Sequence, residues 1–248
     1  MPVVRRSRTI SKSRRLLLQV LFFLIIVTIA FYFFIQSSFF NVANVEIRNN
    51  HFLSSGEIKQ LADIPLGINI FKVNDVQVKQ NISLHPMVKN VELKRQLPDT
   101  LVITVEERQP VILIPSEKGF LEFDESGVFL RKISTISQVS LPVLTGVKID
   151  QDISPGQVLV NENLAKALEF VSNVPKEQRN LLMEIEIKDG QYIVYTPQGI
   201  QVRFGNQEDL PQKIAILEEI IKSGELENKI VDYIDLTTVA TPVLKYRD

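Results

Sequence analysis

The segment His85–Val111, HPMVKNVELKRQLPDTLVITVEERQPV, decides how the first half of this chain folds. His85-Pro86 stops any preceding helix, because proline has no N–H to donate and crowds the turn before it. Val91 and Leu93 then share one face of an extended run, since side chains alternate across a strand. Leu101, Ile103 and Val105 do the same in a second run. Between the two, Leu97-Pro98-Asp99-Thr100 has the composition of a turn.

Upstream of this pair, Val45 and Ile47 alternate with polar neighbours and predict a short strand that ends in a turn at Asn49-Asn50. Ser54-Ser55-Gly56-Glu57 predicts a capping box, in which the serine hydroxyl accepts an orphan N–H and the glutamate reaches back. Leu53 and Ile58 can staple the helix start, Ile58, Leu61 and Ala62 face inward, and Pro65 and Gly67 end the helix. A second helix starts near Asn74, with Gln77 three positions on and Val78 and Ile82 on one face. The order is β-α-α-β-β, which predicts a small α+β domain with two helices on one face of a three-stranded sheet.

These residues carry a resemblance. FFNVANVEIRNNHFLSSGEIKQLADIPLGINIFKVN at Phe39–Asn74, followed by the His85–Val111 segment, looks like a POTRA domain. The surrounding layout resembles the FtsQ/DivIB family of bacterial cell-division proteins. Pro86, Val88, Pro98, Thr100, Glu107, Arg108 and Pro110 match the family motif of a proline and valine, an outgoing strand, a Pro–Thr turn, a returning strand and Glu-Arg-x-Pro. Many members have glycine after the first strand, where this chain has Asn49. Asparagine tolerates a left-handed backbone next best, so the turn is expected to survive.

Ahead of that domain, Leu16–Ile35 reads LLLQVLFFLIIVTIAFYFFI, twenty residues without charge or proline. As a helix it covers about 30 Å, the thickness of the hydrocarbon core. A buried core helix would carry a polar stripe, which is missing here. A cleaved signal peptide would have a shorter apolar region and a small-residue cleavage site, whereas Phe39 and Phe40 follow here. Arg5, Arg6, Arg8, Lys12, Arg14 and Arg15 precede the segment, and Gln36–Val45 carries no charge. The positive-inside rule then keeps residues 1–15 in the cytoplasm and places the body outside. The net charge is −1 overall, so with six cations and no acid in residues 1–35 the remainder carries −7.

Downstream, residues 109–248 predict a mostly antiparallel β domain with two helices. Phe120–Phe123 and Val128–Leu130 flank Asp124-Glu125-Ser126-Gly127 as a hairpin. Leu141-Pro142-Val143-Leu144 leads into Gly146, and Asn163 is expected to cap a helix bearing Leu164, Leu168 and Val171. Glu184–Lys188, Tyr192–Thr196 and Ile200–Phe204 form a meander through Asp189-Gly190 and Pro197–Gly199. A longer helix runs from Asp209 to Ser223, with Pro211 in its first turn, Ile214, Leu217 and Ile221 inward, and Gly224 as its stop. Ile230–Leu236 and Val243–Tyr246 read as closing strands. The resemblance makes residues 40–108 the POTRA domain and 109–248 the family's β domain.

The chain offers little chemistry. It has no cysteine, which excludes disulfides and thiolate catalysis or ligation, and its two histidines, His51 and His85, stand in separate segments without a metal-binding pattern. No Ser-x-x-Lys, Gly-x-Ser-x-Gly, phosphate-cradling glycine loop or His-Glu-x-x-His occurs. Acidic pairs such as Glu106-Glu107 and Glu218-Glu219 read as solvated faces. The basic tail is better explained by topology and anionic lipid than by nucleic acid. No cofactor, metal or catalytic turnover is expected.

That leaves binding. Thr241-Pro242-Val243-Leu244-Lys245-Tyr246 suits an edge strand, because Pro242 lacks an N–H and an edge offers unpaired backbone groups to another chain. Val243 and Lys245 would face one way, Leu244 and Tyr246 the other. An ordinary closing strand or a frayed tail is the plainer reading. The resemblance implies that this end of the β domain recruits the coiled-coil division proteins FtsB/DivIC and FtsL, and that other divisome components meet the chain at the septum. On that basis Tyr233, Asp235, Leu236, Thr241, Val243, Leu244, Lys245, Tyr246 and Arg247 are the expected contact residues. A POTRA protein of secretion or membrane assembly is the alternative, but the residues after 108 are too few for a large barrel.

Overall fold

The computed structural model describes residues 12–135, 141–147, 149, 153–223 and 231–247. They group into two compact units, Met1–Ile82 with Val91–Val105, and Ser83–Asn90 with Glu106–Asp248.

The first unit begins with α1, Lys12–Ile35, which starts four residues before the apolar run because basic residues are good helix formers. Its side chains from Leu16 to Phe34 are exposed, and Arg14–Ile35 is long and apolar enough to cross a membrane. Strand β1 (Asn44–Arg48) ends at Asn49, whose φ of 62° is the left-handed turn expected of it. Helix α2 (Ser55–Ala62) is capped by Ser54, whose Oγ accepts the Glu57 N–H at 3.1 Å. The helix stops at Asp63, in the left-handed region at φ 47°, before Pro65 and Gly67 are reached. Helix α3 (Asp75–Ser83) is capped by Asn74 Oδ1, which accepts from Val76 and Gln77, while the Gln77 side chain donates to Asn81. Strands β2 (Val88–Gln96) and β3 (Thr100–Glu107) complete a sheet of order β1-β3-β2, in which β1 runs parallel to β3. Ile58, Ile70, Ile82, Leu101 and Ile103 are fully buried, each side chain contributing about 1.5–3 kcal/mol.

The second unit contains a strand the sequence reading did not separate, β4 (Pro110–Ser116), followed by β5 (Gly119–Asp124) and β6 (Phe129–Ile133). Gly119, at φ 118°, turns β4 into β5; a Cβ there would stand 2.1 Å from the Ile133 carbonyl oxygen, so only glycine fits. Next come β7 (Val143–Thr145) and α4 (Glu162–Asn173). Its cap is Asn161, which accepts the Leu164 N–H at 3.0 Å; Asn163, the expected cap, lies in the first turn. The correction has a simple cause: the cap must accept from the N–H two or three residues on, and two asparagines two apart look alike in sequence. Strands β8 (Glu184–Lys188), β9 (Gln191–Tyr195) and β10 (Gln201–Gly205) form the expected meander, with Asp189 and Gly190 both at positive φ. Helix α5 (Leu210–Lys222) leads to β11 (Val231–Asp235) and β12 (Val243–Tyr246). The expected stop at Gly224 and the strand start at Ile230 lie outside the described residues.

The nine strands form one sheet, β12-β11-β10-β9-β8-β7-β4-β5-β6. Five neighbouring pairs are antiparallel. Three are parallel, β10 with β11, β4 with β7 and β7 with β8. Two of these arise where α5 and α4 carry the chain between neighbours. Helix and sheet bury a shared core of Phe123, Phe170, Val194, Phe204, Ile214 and Ile234 among others.

Candidate functional site

Strand β12 occupies the edge of the large sheet, and among the described residues no strand pairs with its outer side. Its inner side is registered on β11 by Asp235↔Val243, Ile234↔Leu244 and Tyr233↔Lys245, with an irregularity before Val231↔Tyr246. The turn out of β11 is local chemistry: the Asp235 carboxylate accepts from the Thr237 backbone N–H and hydroxyl, and Thr241 N–H donates to the Thr238 carbonyl.

Alternation divides β12 as its sequence implies. Val243 and Lys245 are exposed, while Leu244 and Tyr246 are half-buried, Leu244 packing on the core. On the Val243 face, the half-buried Tyr233 carries the Arg203 guanidinium 3.8 Å above its ring. Such a cation–π contact holds a planar cation and an aromatic ring in fixed orientation beside the edge. Arg247 reaches Asp232 at 3.6 Å, an exposed pair that contributes little. Thr241 is exposed and Asp235 is committed to the turn. Leu236 is different: it is fully buried, and its N–H donates to the Arg203 carbonyl at 2.8 Å. It anchors the end of β11 to β10, and its side chain is not exposed at the edge. The structure therefore gathers Tyr233, Val243, Leu244, Lys245, Tyr246 and Arg247 at one edge, and brings in Arg203, which sequence reasoning missed because β10 joins β11 only through a helix crossover.

Several charged groups of the second unit are structural. Arg108, of the Glu-Arg-x-Pro motif, donates to Asp124 at 2.7 Å, and Asp124 also accepts the Ser126 and Val128 N–H groups, which closes the β5–β6 turn. Glu122 is fully buried on Arg131 at 2.7 Å. Lys213 is fully buried, its Nζ donating to the Phe204 and Asn206 carbonyls at 2.9 and 3.3 Å. Burial pushes the Lys213 ammonium below its ordinary range, against the opposing pull of Asp209 and Glu208. Among the described residues no three His, Cys, Asp or Glu side chains gather as a metal site would require.

Comparison with known proteins agrees with this architecture. Residues 40–108 match the profile "POTRA domain, FtsQ-type", and residues 113–237 match "Cell division protein FtsQ/DivIB, C-terminal". Strand β12 lies beyond the second match. The cell division protein DivIB of Clostridium tetani is 28% identical over 213 residues, which cover 83% of this chain and 79% of that protein. FtsQ of Syntrophotalea carbinolica is 27% identical over 214 residues, 84% of this chain and 75% of its own. A solved structure, the major extracytoplasmic domain of the trans isomer of DivIB from Geobacillus stearothermophilus, covers 50% of this chain and 98% of its own at 18% identity and a TM-score of 0.33, too low to bear on the argument. With the C-terminal profile spanning half the sequence and the POTRA profile preceding it, the chain belongs to the FtsQ/DivIB family of cell division proteins.

Proposed function

We propose that this protein is a membrane-anchored scaffold of the division machinery that works by capture and performs no turnover. Residues 1–15 stay in the cytoplasm, the Leu16–Ile35 part of α1 spans the membrane, and residues 40–108 and 109–248 act outside it, at the septum. The charge asymmetry across the apolar run Leu16–Ile35 supports that orientation: six cations precede it, and Gln36–Val45 carries none.

One observation carries the binding role. Strand β12 is an edge whose alternation is already set, so a strand from a partner gains main-chain hydrogen bonds there and meets side chains on both faces. Tyr233 with Arg203 supplies an aromatic and cationic contact on one face, Val243 and Lys245 continue it, and Arg247 extends the rim. Leu244 and Tyr246 line the other face. The expected partners are the FtsB/DivIC-like and FtsL-like coiled-coil division proteins, held so that septal peptidoglycan synthesis is organised around them.

The test uses the full chain in detergent micelles and the purified coiled-coil partners. Deleting residues 241–248 is expected to abolish capture while the far-ultraviolet circular dichroism stays that of a folded protein. Unchanged affinity in the folded deletion variant would refute the role of this edge. A fluorescent fusion that fails to gather at the septum would refute the localisation.

A further inference from the structure

The end of α1 is not followed by a loose tether. The last carbonyl of that helix, Ile35 O, accepts a hydrogen bond at 2.8 Å from Nδ2 of Asn69, a buried side chain of the first unit. Asn69 is itself fixed, since its Oδ1 accepts the Phe71 N–H at 3.0 Å. A helix end leaves carbonyls without partners, and here the folded unit supplies one. The connecting residues are pinned as well. Val42 N–H donates to Ile68 O, Gly67 N–H donates to Val42 O, and the N–H groups of Ala43 and Asn44 both donate to Asp99 O. Four rings complete the junction: Phe34 of α1 lies 6.0 Å from Phe39 and 5.2 Å from Phe40, and Phe40 lies 5.4 Å from Phe71.

Most of the exposed apolar side chains of the first unit outside α1 lie on the segments tied to this junction. Beyond α1, its described residues include six large ones: Phe39, Phe52, Leu66, Phe71, Val76 and Leu97. Four belong to the pinned segments. Phe39 and Phe71 are in the ring cluster, Leu66 precedes Gly67, and Leu97 is two residues before Asp99. They are 59%, 45%, 70% and 56% exposed. The uncharged run continues past α1 through Gln36–Val45. A twenty-residue apolar helix ends about where the hydrocarbon ends, so groups tied to its last turn stand at the lipid–water boundary. Aromatic and apolar side chains are favoured there, and in water the same residues would form an exposed apolar patch.

From this continuity with the spanning helix, we infer that Phe39, Leu66, Phe71 and Leu97 form a membrane-seating surface, which sets the first unit directly on the outer face of the bilayer and fixes its orientation to α1. The occupant is the interfacial region of the lipid itself, and the attraction is apolar. The inference rests on α1 spanning the membrane, but not on any role for β12.

The chain has no cysteine, so single labels can be placed cleanly. Phe33→Cys, Leu66→Cys, Phe71→Cys, Leu97→Cys and His51→Cys variants of the full chain would carry an environment-sensitive fluorophore in phosphatidylcholine vesicles containing headgroup-level nitroxide lipid. His51 follows the far end of β1, about 13 Å along the strand from Asn44. Labels at Leu66, Phe71 and Leu97 should lose fluorescence to the nitroxide as Phe33 does and emit to the blue of His51, with no change in high salt. If those three resemble His51 while Phe33 is quenched, the seating surface is refuted and the spanning helix stands. An unquenched Phe33 would overturn the membrane reading, and this inference with it. Quenching that disappears in high salt would overturn the apolar attraction.

Discussion

The two sheets of this protein are built on different rules. The three-stranded sheet of the first unit combines one local pairing with one distant one: β2 and β3 are joined by a single turn, whereas β1, separated from β3 in the chain by α2, α3 and β2, lies parallel to it through Asn44↔Thr100 to Arg48↔Thr104. The turn after β1 and the end of α2 take left-handed positions filled by Asn49 and Asp63, which carry side chains. The nine-stranded sheet takes its order from two helix crossovers and from β4 stepping past its own hairpin to pair with β7. Its β8–β9 turn also places a side-chain-bearing residue, Asp189, at positive φ, but one bend is tight: backbone meets backbone at Gly119. Both sheets need their turns to deliver each strand in register, and a substitution costs most where the backbone leaves no room for a side chain.

Three substitutions would break or sharpen that contrast. Gly119→Ala should have the largest effect, a loss of about 2–5 kcal/mol of stability in chemical denaturation, because a side chain at positive φ would also be driven onto the Ile133 carbonyl. A loss below about 1 kcal/mol would show that the β5–β6 edge yields more easily than its geometry implies.

Lys213→Met comes next. It leaves the Phe204 and Asn206 carbonyls without their donor and should cost about 1–3 kcal/mol near neutral pH. The pH dependence separates charge from packing. The folded protein holds the Lys213 ammonium below the ordinary lysine value of 10.5, so the unfolded chain binds more protons between the two values. The wild type should therefore gain stability relative to the methionine variant as pH rises toward 10.5. Parallel curves for the two proteins would remove burial as the cause.

The smallest change is expected at Asn49→Gly in the first unit, a gain of up to about 1 kcal/mol from relief of the left-handed backbone, visible as a modest rise in Tm. A large loss would mean that Asn49 makes contacts its turn does not reveal.

The candidate edge was partly legible in the same way. Pro242 and the alternation from Val243 to Tyr246 mark a strand, and the structure sets it at a sheet margin. Leu236 looked equivalent to its neighbours in sequence and is a core residue, while Arg203 was invisible as a partner of Tyr233 because thirty positions separate them.

What the residues determine by themselves is local. An uncharged run of lipid length makes α1, period-two alternation makes the strands, and Ser54, Asn74 and the Asp189-Gly190 pair place caps and turns through hydrogen bonds reaching only two or three residues. Tertiary structure alone decides which distant strands become neighbours, which of two asparagines caps α4, and which charges are buried: Lys213 under Phe204, Glu122 on Arg131, Asp124 on Arg108. The reason is physical. Burial and parallel pairing depend on groups tens of residues apart, and the hydrophobic effect that draws them together is non-directional, so no short pattern records the outcome.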